Sequence, residues 1–293
     1  MADNYNYTVE QSKINLLWHE GYTGKDIVVG IVDSGVDIEH VMIKDKIIGG
    51  RNFSDDGKGA DVLTSNHYHG TSVSALVCGD YINHRIYGVA PDSKIVIAKT
   101  LNDFGRCGTT AIVNAINYCV SQNVDIINCS IGCEYNDIAM EQALRNAVAK
   151  GIPVVVSSGN EGTGDTDGSF SEVSFPAYYD DAISVGAVDK QYNVASFSNS
   201  NKFVDFIAPG VNVLTAYPGN RYAYCDGTSF SAPIISGILA LLKQKFIVEF
   251  GRIPNESELY GQLVKYSRTL YGVSRRMQGN GYIDCSINKI KKI

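Results

Sequence analysis

The stretch Cys225-Asp226-Gly227-Thr228-Ser229-Phe230-Ser231-Ala232-Pro233 sets adjacent hydroxyls, Thr228 and Ser229, ahead of an apolar run, Ile234 through Leu242, broken only by Ser236 and Gly237. Such a run predicts a buried helix, apolar nearly all round. Proline is tolerated in a first helical turn, so Pro233 puts the helix start near Ser229. A hydroxyl at a helix start meets unpaired backbone N–H groups and the positive end of the dipole, a place that stabilises an oxyanion. Gly227 lets the chain approach closely just before it. Two readings stand side by side. Thr228 or Ser229 caps the helix, or Ser229 is a nucleophile. A nucleophile needs a base, an orienter and a second oxyanion donor elsewhere.

Three other stretches carry residues of those types. In His67-Tyr68-His69-Gly70-Thr71-Ser72-Val73-Ser74-Ala75-Leu76, small residues after His69 predict a tightly packed helix with an imidazole at its start. The alternatives are a satisfied surface histidine, or a metal held by His67 and His69, for which no third ligand stands near in sequence. In Val154-Val155-Val156-Ser157-Ser158-Gly159-Asn160-Glu161-Gly162 a buried strand runs into an asparagine. That Asn160 is either turn chemistry or a fixed N–H donor for a developing oxyanion. Asp33 ends the apolar run Ile27–Val32 and is followed by Ser34-Gly35. A nucleotide site there would want G-x-G-x-x-G, which Gly30 and Gly35 do not make.

These groups must be positioned by the elements between them. Apolar runs like Ile27–Val32 return at Ile95–Ala98, Val124–Asn128, Val154–Val156 and Ala182–Val188, the form of strands buried on both faces. Between them lie helical patterns at Thr109–Gln122 and at Asp137–Lys150, the latter closed by Gly151. A short helix and turn precede Gly24, and a further helix is expected at about 256–267. From Val204 to Cys225 the pattern turns to short strands. No linker or repeat interrupts the chain. The expectation is one α/β domain over 1–293, a mostly parallel twisted sheet with helices on both faces. Residues 1–20 are a short leading segment and 268–293 a tail. In open parallel sheets, sites form beyond the carboxyl ends of the strands.

Composition narrows the function further. The chain has 293 residues, 44% hydrophobic, enough for one large core. With 25 basic and 31 acidic residues, the net charge of −6 argues against a nucleic-acid surface. The lysines 289, 291 and 292 read as a solvated terminus. The run ending at Leu242 is shorter than the roughly 20 residues that span a membrane, and the N-terminus lacks the form of a signal peptide. Seven cysteines at irregular spacing read as free thiols of a reducing compartment rather than a disulfide framework.

Asp33, His69, Asn160 and Ser229, in this order, resemble the subtilisin-like serine proteases (subtilases). The matching motifs are Asp33-Ser34-Gly35-Val36-Asp37, His69-Gly70-Thr71, Ser158-Gly159-Asn160 and Gly227-Thr228-Ser229, with Gly88-Val89-Ala90-Pro91 and Ala208-Pro209-Gly210 in support. The order Asp, His, Ser is itself that of subtilisin. The resemblance runs from about Gly21 to Leu242. It implies that Ser229 attacks the scissile carbonyl, His69 moves the proton, and Asp33 holds the imidazole. Asn160 and the Ser229 N–H would bind the oxyanion. It also implies two substrate edges, Ser130-Ile131-Gly132 and Gly105-Arg106-Cys107, with an extended peptide between them as an added strand. Ser158, Gly159 and the stretch near Ser174 would line the pocket for the residue before the cut. The alternative is a silent subtilase fold that only binds peptides or partners.

Departures from the family pattern carry expectations of their own. Ser72 stands where a second histidine is common. Phe230 stands where methionine is common, and its bulk would narrow the leaving-group side. The chemistry requires no cofactor. The family's strong calcium site would draw on the loop Asp80–Ile86 and on a carboxylate near Met42. Methionine cannot ligate calcium and Ile82 falls where an amide is common, so that site is expected to be missing. Asp205 matches a carboxylate of a weaker cation site, which keeps calcium possible. The residues before Gly21 are too few to fold as an inhibitory pro-domain. That fits a cytoplasmic, intracellular subtilase, or a secreted one whose signal and pro-segment lie outside this chain. The acidic segment Glu161–Glu172, with Asp165 and Asp167, favours basic substrate residues or is a solvated loop.

Overall fold

A computed structural model describes residues 7–80, 88–164 and 169–287. The strands are β1 Val28–Asp33, β2 Ile47–Asn52, β3 Lys94–Lys99, β4 Ile126–Cys129, β5 Val154–Ser157, β6 Ala182–Val188, β7 Val204–Pro209, β8 Val213–Tyr217, β9 Arg221–Cys225, β10 Ser267–Arg268 and β11 Tyr282–Ile283. The helices are α1 Tyr7–Gln11, α2 Asn15–His19, α3 His69–Cys78, α4 Thr109–Ser121, α5 Ile138–Ala149, α6 Thr228–Phe250, α7 Glu256–Tyr266 and α8 Arg275–Gln278. One sheet has the order β10-β11-β7-β6-β5-β4-β1-β3-β2, and β8 pairs with β9 as a separate hairpin. Neighbours in the large sheet run parallel except β10 with β11.

Alternation along each central strand feeds two cores, because successive side chains point to opposite faces. Val29 and Ile31 of β1 pack with Ile234, Ile235 and Ile238 of α6. Val32 packs on the other face with Ile112 and Ile116 of α4 and Leu144 of α5. Both faces are covered, so the strands are apolar without a polar side, as parallel sheets require.

The α6 helix is the longest described element. It has 23 residues, and by length and composition it could cross a membrane, but 78% of its most apolar window is buried inside the fold. It runs well past the expected Leu242, and its apolar surface is taken up by the sheet and α3. Pro233 lies in its second turn rather than its first, so the missing N–H falls opposite the Ser229 carbonyl.

Two further differences have simple causes. β2, with the sequence Ile-Ile-Gly-Gly-Arg-Asn, gave no strand signal because two glycines dilute its β-propensity. The expected tail adds Arg268, Tyr282 and Ile283 to the sheet: Tyr282 of β11 is fully buried and its hydroxyl pairs with Ser12 Oγ at 2.7 Å. Two-residue strands are too short to show a period. The tail lysines 289, 291 and 292 lie outside the described residues.

Candidate active site

Three adjacent strands leave the sheet at one level. Val32 of β1 pairs with Cys129 of β4, and Cys129 pairs with Val156 of β5. Asp33, Ser130 and the Ser157–Asn160 turn follow directly. α3 and α6 begin at the same end, with His69 and with Thr228-Ser229.

His69 Nδ1 donates to Asp33, at 2.8 Å from Oδ1 and 2.9 Å from Oδ2. Asp33 is fully buried, and its Oδ1 also accepts the Ser34 N–H at 2.6 Å. With Nδ1 committed as donor, Nε2 is the nitrogen left to accept a proton. Burial lowers the His69 pKa, but the Asp33 charge and hydrogen bond outweigh it, and the net shift is upward. The pair is held by a backbone contact. Ser34 Oγ accepts the Gly70 N–H at 3.0 Å, and a Cβ on Gly70 would strike the Gly35 carbonyl. Only glycine lets the β1 turn and the first turn of α3 come this close.

The helix cap is neither hydroxyl. Gly227, at φ 144° and ψ 154°, occupies the N-cap and no side chain bonds to the first turn from it. That conformation belongs to glycine. Ser229 is 9% exposed and its Oγ donates to the Ser130 carbonyl at 3.0 Å. In the free chain the hydroxyl thus rests on the first expected substrate edge. Catalytic hydrogen bonds commonly tighten only when substrate is bound.

Asn160 is oriented by the same helix start. Its Oδ1 accepts both the Thr228 N–H and the Thr228 hydroxyl, each at 2.9 Å. Because the oxygen must face the backbone donor, Nδ2 is assigned to the other side. It lies 3.6 Å from where a Cβ on Gly227 would stand, beside the chain that leads to Ser229. Thr228 is a residue that sequence reading weighed only as a cap. Its adjacency to Ser229 was the one available signal.

The expected substrate edges take different forms. Ser130 and Ile131 are buried and continue β4, and Gly132 packs on Ser174 so closely that a Cβ would strike its Oγ. Gly105–Cys107 lies in a turn built on Asn102, whose Oδ1 accepts the N–H groups of Phe104 at 3.0 Å and Arg106 at 3.1 Å. The Arg106 carbonyl also accepts the Asn102 N–H at 2.9 Å. Ser158 is fully buried, while Gly159 is partly exposed.

The departures settle into supporting roles. The Ser72 hydroxyl donates to the Ala216 carbonyl at 2.7 Å and ties α3 to β8. Phe230 does not narrow the cleft: it is 2% exposed, packed with Leu76, Val213 and Cys225, its ring 5.5 Å from that of His69. Helix geometry turns it into this cluster, while the Ser229 hydroxyl turns to the Ser130 carbonyl. Glu161 and Glu172 are fastened by Asn199 and Ser200, with Glu161 Oε2 accepting from Asn199 Nδ2 at 2.7 Å and Glu172 Oε2 from the Ser200 N–H at 2.9 Å. Asp165 and Asp167 lie outside the described residues.

A family model of the subtilase family matches residues 24–280. The chain belongs to the subtilase family. The subtilase is 39% identical over 269 residues to the major intracellular serine protease of Bacillus subtilis, covering 91% of this chain and 83% of that protein. It is 38% identical over 278 residues to an intracellular serine protease of Paenibacillus polymyxa, covering 94% and 83%. Subtilisin DY of Bacillus licheniformis is 35% identical over 245 residues, 84% of this chain and 86% of that one. The subtilase is thus a hydrolase of the serine-protease type.

Metal ligands are a separate matter. Met42 is fully buried, and a Cβ on Gly79 would lie 2.5 Å from its methyl group, so Met42 is part of the core. In the loop Asp80–Ile86 the residues after Asp80, Ile82 among them, lie outside the described residues. Asp205 is already engaged, accepting the Ser184 N–H at 2.8 Å and the Tyr260 hydroxyl at 2.7 Å. Its burial pushes the carboxyl up to about 6. Among the described residues no three His, Cys, Asp or Glu side chains gather closely enough to hold a metal ion.

Proposed function

We propose that this subtilase is a serine endopeptidase working through Asp33, His69 and Ser229 with an oxyanion site at Asn160. The carrying observation is the His69 Nδ1 bond to both Asp33 oxygens, at the same sheet end as the Ser229 helix start. Ser229 Oγ attacks the scissile carbonyl while His69 Nε2 takes its proton. Asp33 stabilises the imidazolium that forms. The carbonyl oxygen becomes an oxyanion received by Asn160 Nδ2 and the Ser229 N–H at the positive end of α6. His69 then protonates the leaving amine, which departs and leaves an acyl-enzyme. Water, deprotonated by His69, hydrolyses it.

The substrate is a peptide held as an added strand between Ser130–Gly132 and Gly105–Cys107. On the second edge Arg106 has its N–H and carbonyl turned to Asn102. Gly105 also has its N–H on the Asn102 carbonyl at 2.9 Å, so the Gly105 carbonyl and the Cys107 backbone groups are those left to face the peptide. Ser158, Gly159 and Ser174 line the pocket before the cut. The chemistry calls for no cofactor, and a buried methionine at position 42, which cannot ligate calcium, supports a chain without the strong calcium site. Nucleic acid and membrane are not partners. A cytoplasmic place of action is supported by relatives named as intracellular proteases and by seven free thiols.

A fluorophosphonate probe tests this reading against a silent, peptide-binding fold. The wild type should be labelled at Ser229 and Ser229→Ala should not. A folded wild type that binds peptides yet resists the probe would establish the silent alternative.

A further inference from the structure

The edge Gly105–Cys107 follows β3 but does not lie in the sheet. Its own turn, built on Asn102, sets its shape and leaves its place undetermined. A second loop, Ser54–Lys58 after β2, reaches across to the end of β3 and the turn that carries this edge at three points, Lys99, Asn102 and Asp103. Asn102 Nδ2 donates to Asp55 Oδ1 at 3.0 Å. Lys58 Nζ donates to Asp103 Oδ2 at 2.8 Å. Lys99, the last residue of β3 and the register partner of Asp33, is fully buried and pairs with Asp56 and with Ser54 Oγ at 3.2 Å.

Asp56 is the hub of this arrangement. Besides Lys99 it takes Lys58 Nζ at 3.6 Å, the Lys58 N–H at 3.0 Å and Asn52 Nδ2 at 3.2 Å. The chain of contacts therefore runs from the sheet beside the catalytic acid, through a buried ammonium, into the loop and out to the edge turn. The edge face of this chain carries Asp103 with Ser65 Oγ at 3.4 Å and Asn66 Nδ2 at 3.5 Å as further partners.

We propose that the Ser54–Lys58 loop is a bracket for the substrate edge, with Asp55, Asp56 and Lys58 as positioning residues that keep Gly105–Cys107 at strand-pairing distance from bound peptide. The inference rests on the reading of Gly105–Cys107 as a substrate edge. Strand pairing needs N···O distances of about 2.7–3.2 Å, so a drift of about 1 Å breaks it. The bracket touches neither Ser229 nor His69. It acts on the peptide residues distant from the cut and not on the chemical step.

The test compares a single-residue ester with a peptide extended by four residues before the cut. Lys58 is on the surface, so Lys58→Met should fold; thermal melts confirm this for it and for Asp55→Asn. Both variants should lose about threefold to tenfold in kcat/KM on the peptide and keep ester turnover within about twofold. Lys58→Arg should restore the peptide value. The Lys58–Asp103 pair is about one-third exposed on each side, at 35% and 29%, so salt should screen it. Wild-type KM for the peptide should rise with salt, and Lys58→Met should be insensitive. Folded variants with a wild-type ratio of peptide to ester would overturn the bracket. A wild type that gains nothing from the longer peptide would overturn the edge reading, and the bracket with it.

Discussion

Thr228→Val removes one of the two bonds that orient Asn160 and leaves the other. Asn160 Oδ1 receives the Thr228 N–H and hydroxyl at equal distances of 2.9 Å. Valine keeps the shape of a fully buried side chain and the backbone donor with it. One neutral hydrogen bond contributes about 0.5–1.5 kcal/mol net. If that energy is what holds Nδ2 toward the oxyanion, kcat falls by about 2–12-fold, since each ~1.4 kcal/mol is tenfold. KM should not change, because the donor acts on charge that exists only in the transition state. The ceiling is Asn160→Ala, at about 10²–10³ in kcat; subtilisin's own oxyanion asparagine is the source of that range, so it is carried over and not worked out from this geometry. The assay is steady-state hydrolysis with active-site titration, on both single variants and the double. In the double variant Thr228→Val should cost nothing beyond Asn160→Ala, because there is no amide left to orient. A full additional loss would show that Thr228 acts elsewhere, for instance through its contacts with Gly159 at 3.2 and 3.3 Å.

The remaining outcomes concern pH, metal and oxidation. His69 must be neutral to accept a proton and its pKa is raised by Asp33, so kcat/KM should rise with pH through a midpoint above the ordinary ~6.5. The sign for stability is opposite: the charged pair stabilises the fold below the unfolded-state pKa, and that contribution fades as pH rises through the folded one. A flat activity profile from pH 5 to 8 contradicts a histidine base. Chelator should move Tm by only a few degrees, because a ligand stabilises only what it binds; a drop above about 10 °C, far beyond a ~1 kcal/mol effect, would show a strong calcium site. Peroxide inactivation should be slow, largely reversed by dithiothreitol and weaker in Cys225→Ser. Burial pushes Cys107 up to about 12 and raises Cys225, leaving little thiolate, and Phe230 offers no sulfoxide chemistry. Rapid loss that dithiothreitol cannot restore, unchanged in Cys225→Ser and Cys107→Ser, refutes that account.

The central strands and the flanking helices were legible because their signal is periodic and long. β6 falls on its expected bounds, and α4, α5 and α7 within a residue or so at each end. Short or glycine-diluted pieces such as β2 and β11 were not, since their order comes from tertiary pairing. The four chemical residues could be picked out because each stands at the end of a strongly patterned element. Their mutual geometry could not be read that way. Thr228 illustrates the limit: a threonine before a helix reads as a cap, and only the fold brings the Asn160 oxygen to it from 68 residues away. Phe230 illustrates the converse, where residue bulk suggested an obstruction and helix phase removed it. The Asp55–Asp103 region has no pattern at all, because ion pairs across loops leave no period in a sequence.

The site divides into two halves with separate supports. Asp33 and His69 are tied through Ser34 and Gly70, without α6. Asn160 and Ser229 are tied through Thr228 and Gly227, without α3. What relates the halves is the shared level at which β1, β4 and β5 end, the direct packing of α3 on α6 and the Phe230 ring against His69, while the Ser229–Ser130 bond ties α6 to the end of β4. A parallel sheet buried on both faces is a stiff reference, since shifting one strand would displace side chains in two packed cores at once. The separation of His69 and Ser229 is therefore set by sheet register together with the packing of α3 on α6, and each half can be tuned by its own short contacts. This explains how the position after Ser229 can hold phenylalanine: its ring is packed inside the joint between the halves, where apolar volume matters, and not in the cleft, where polarity and access would.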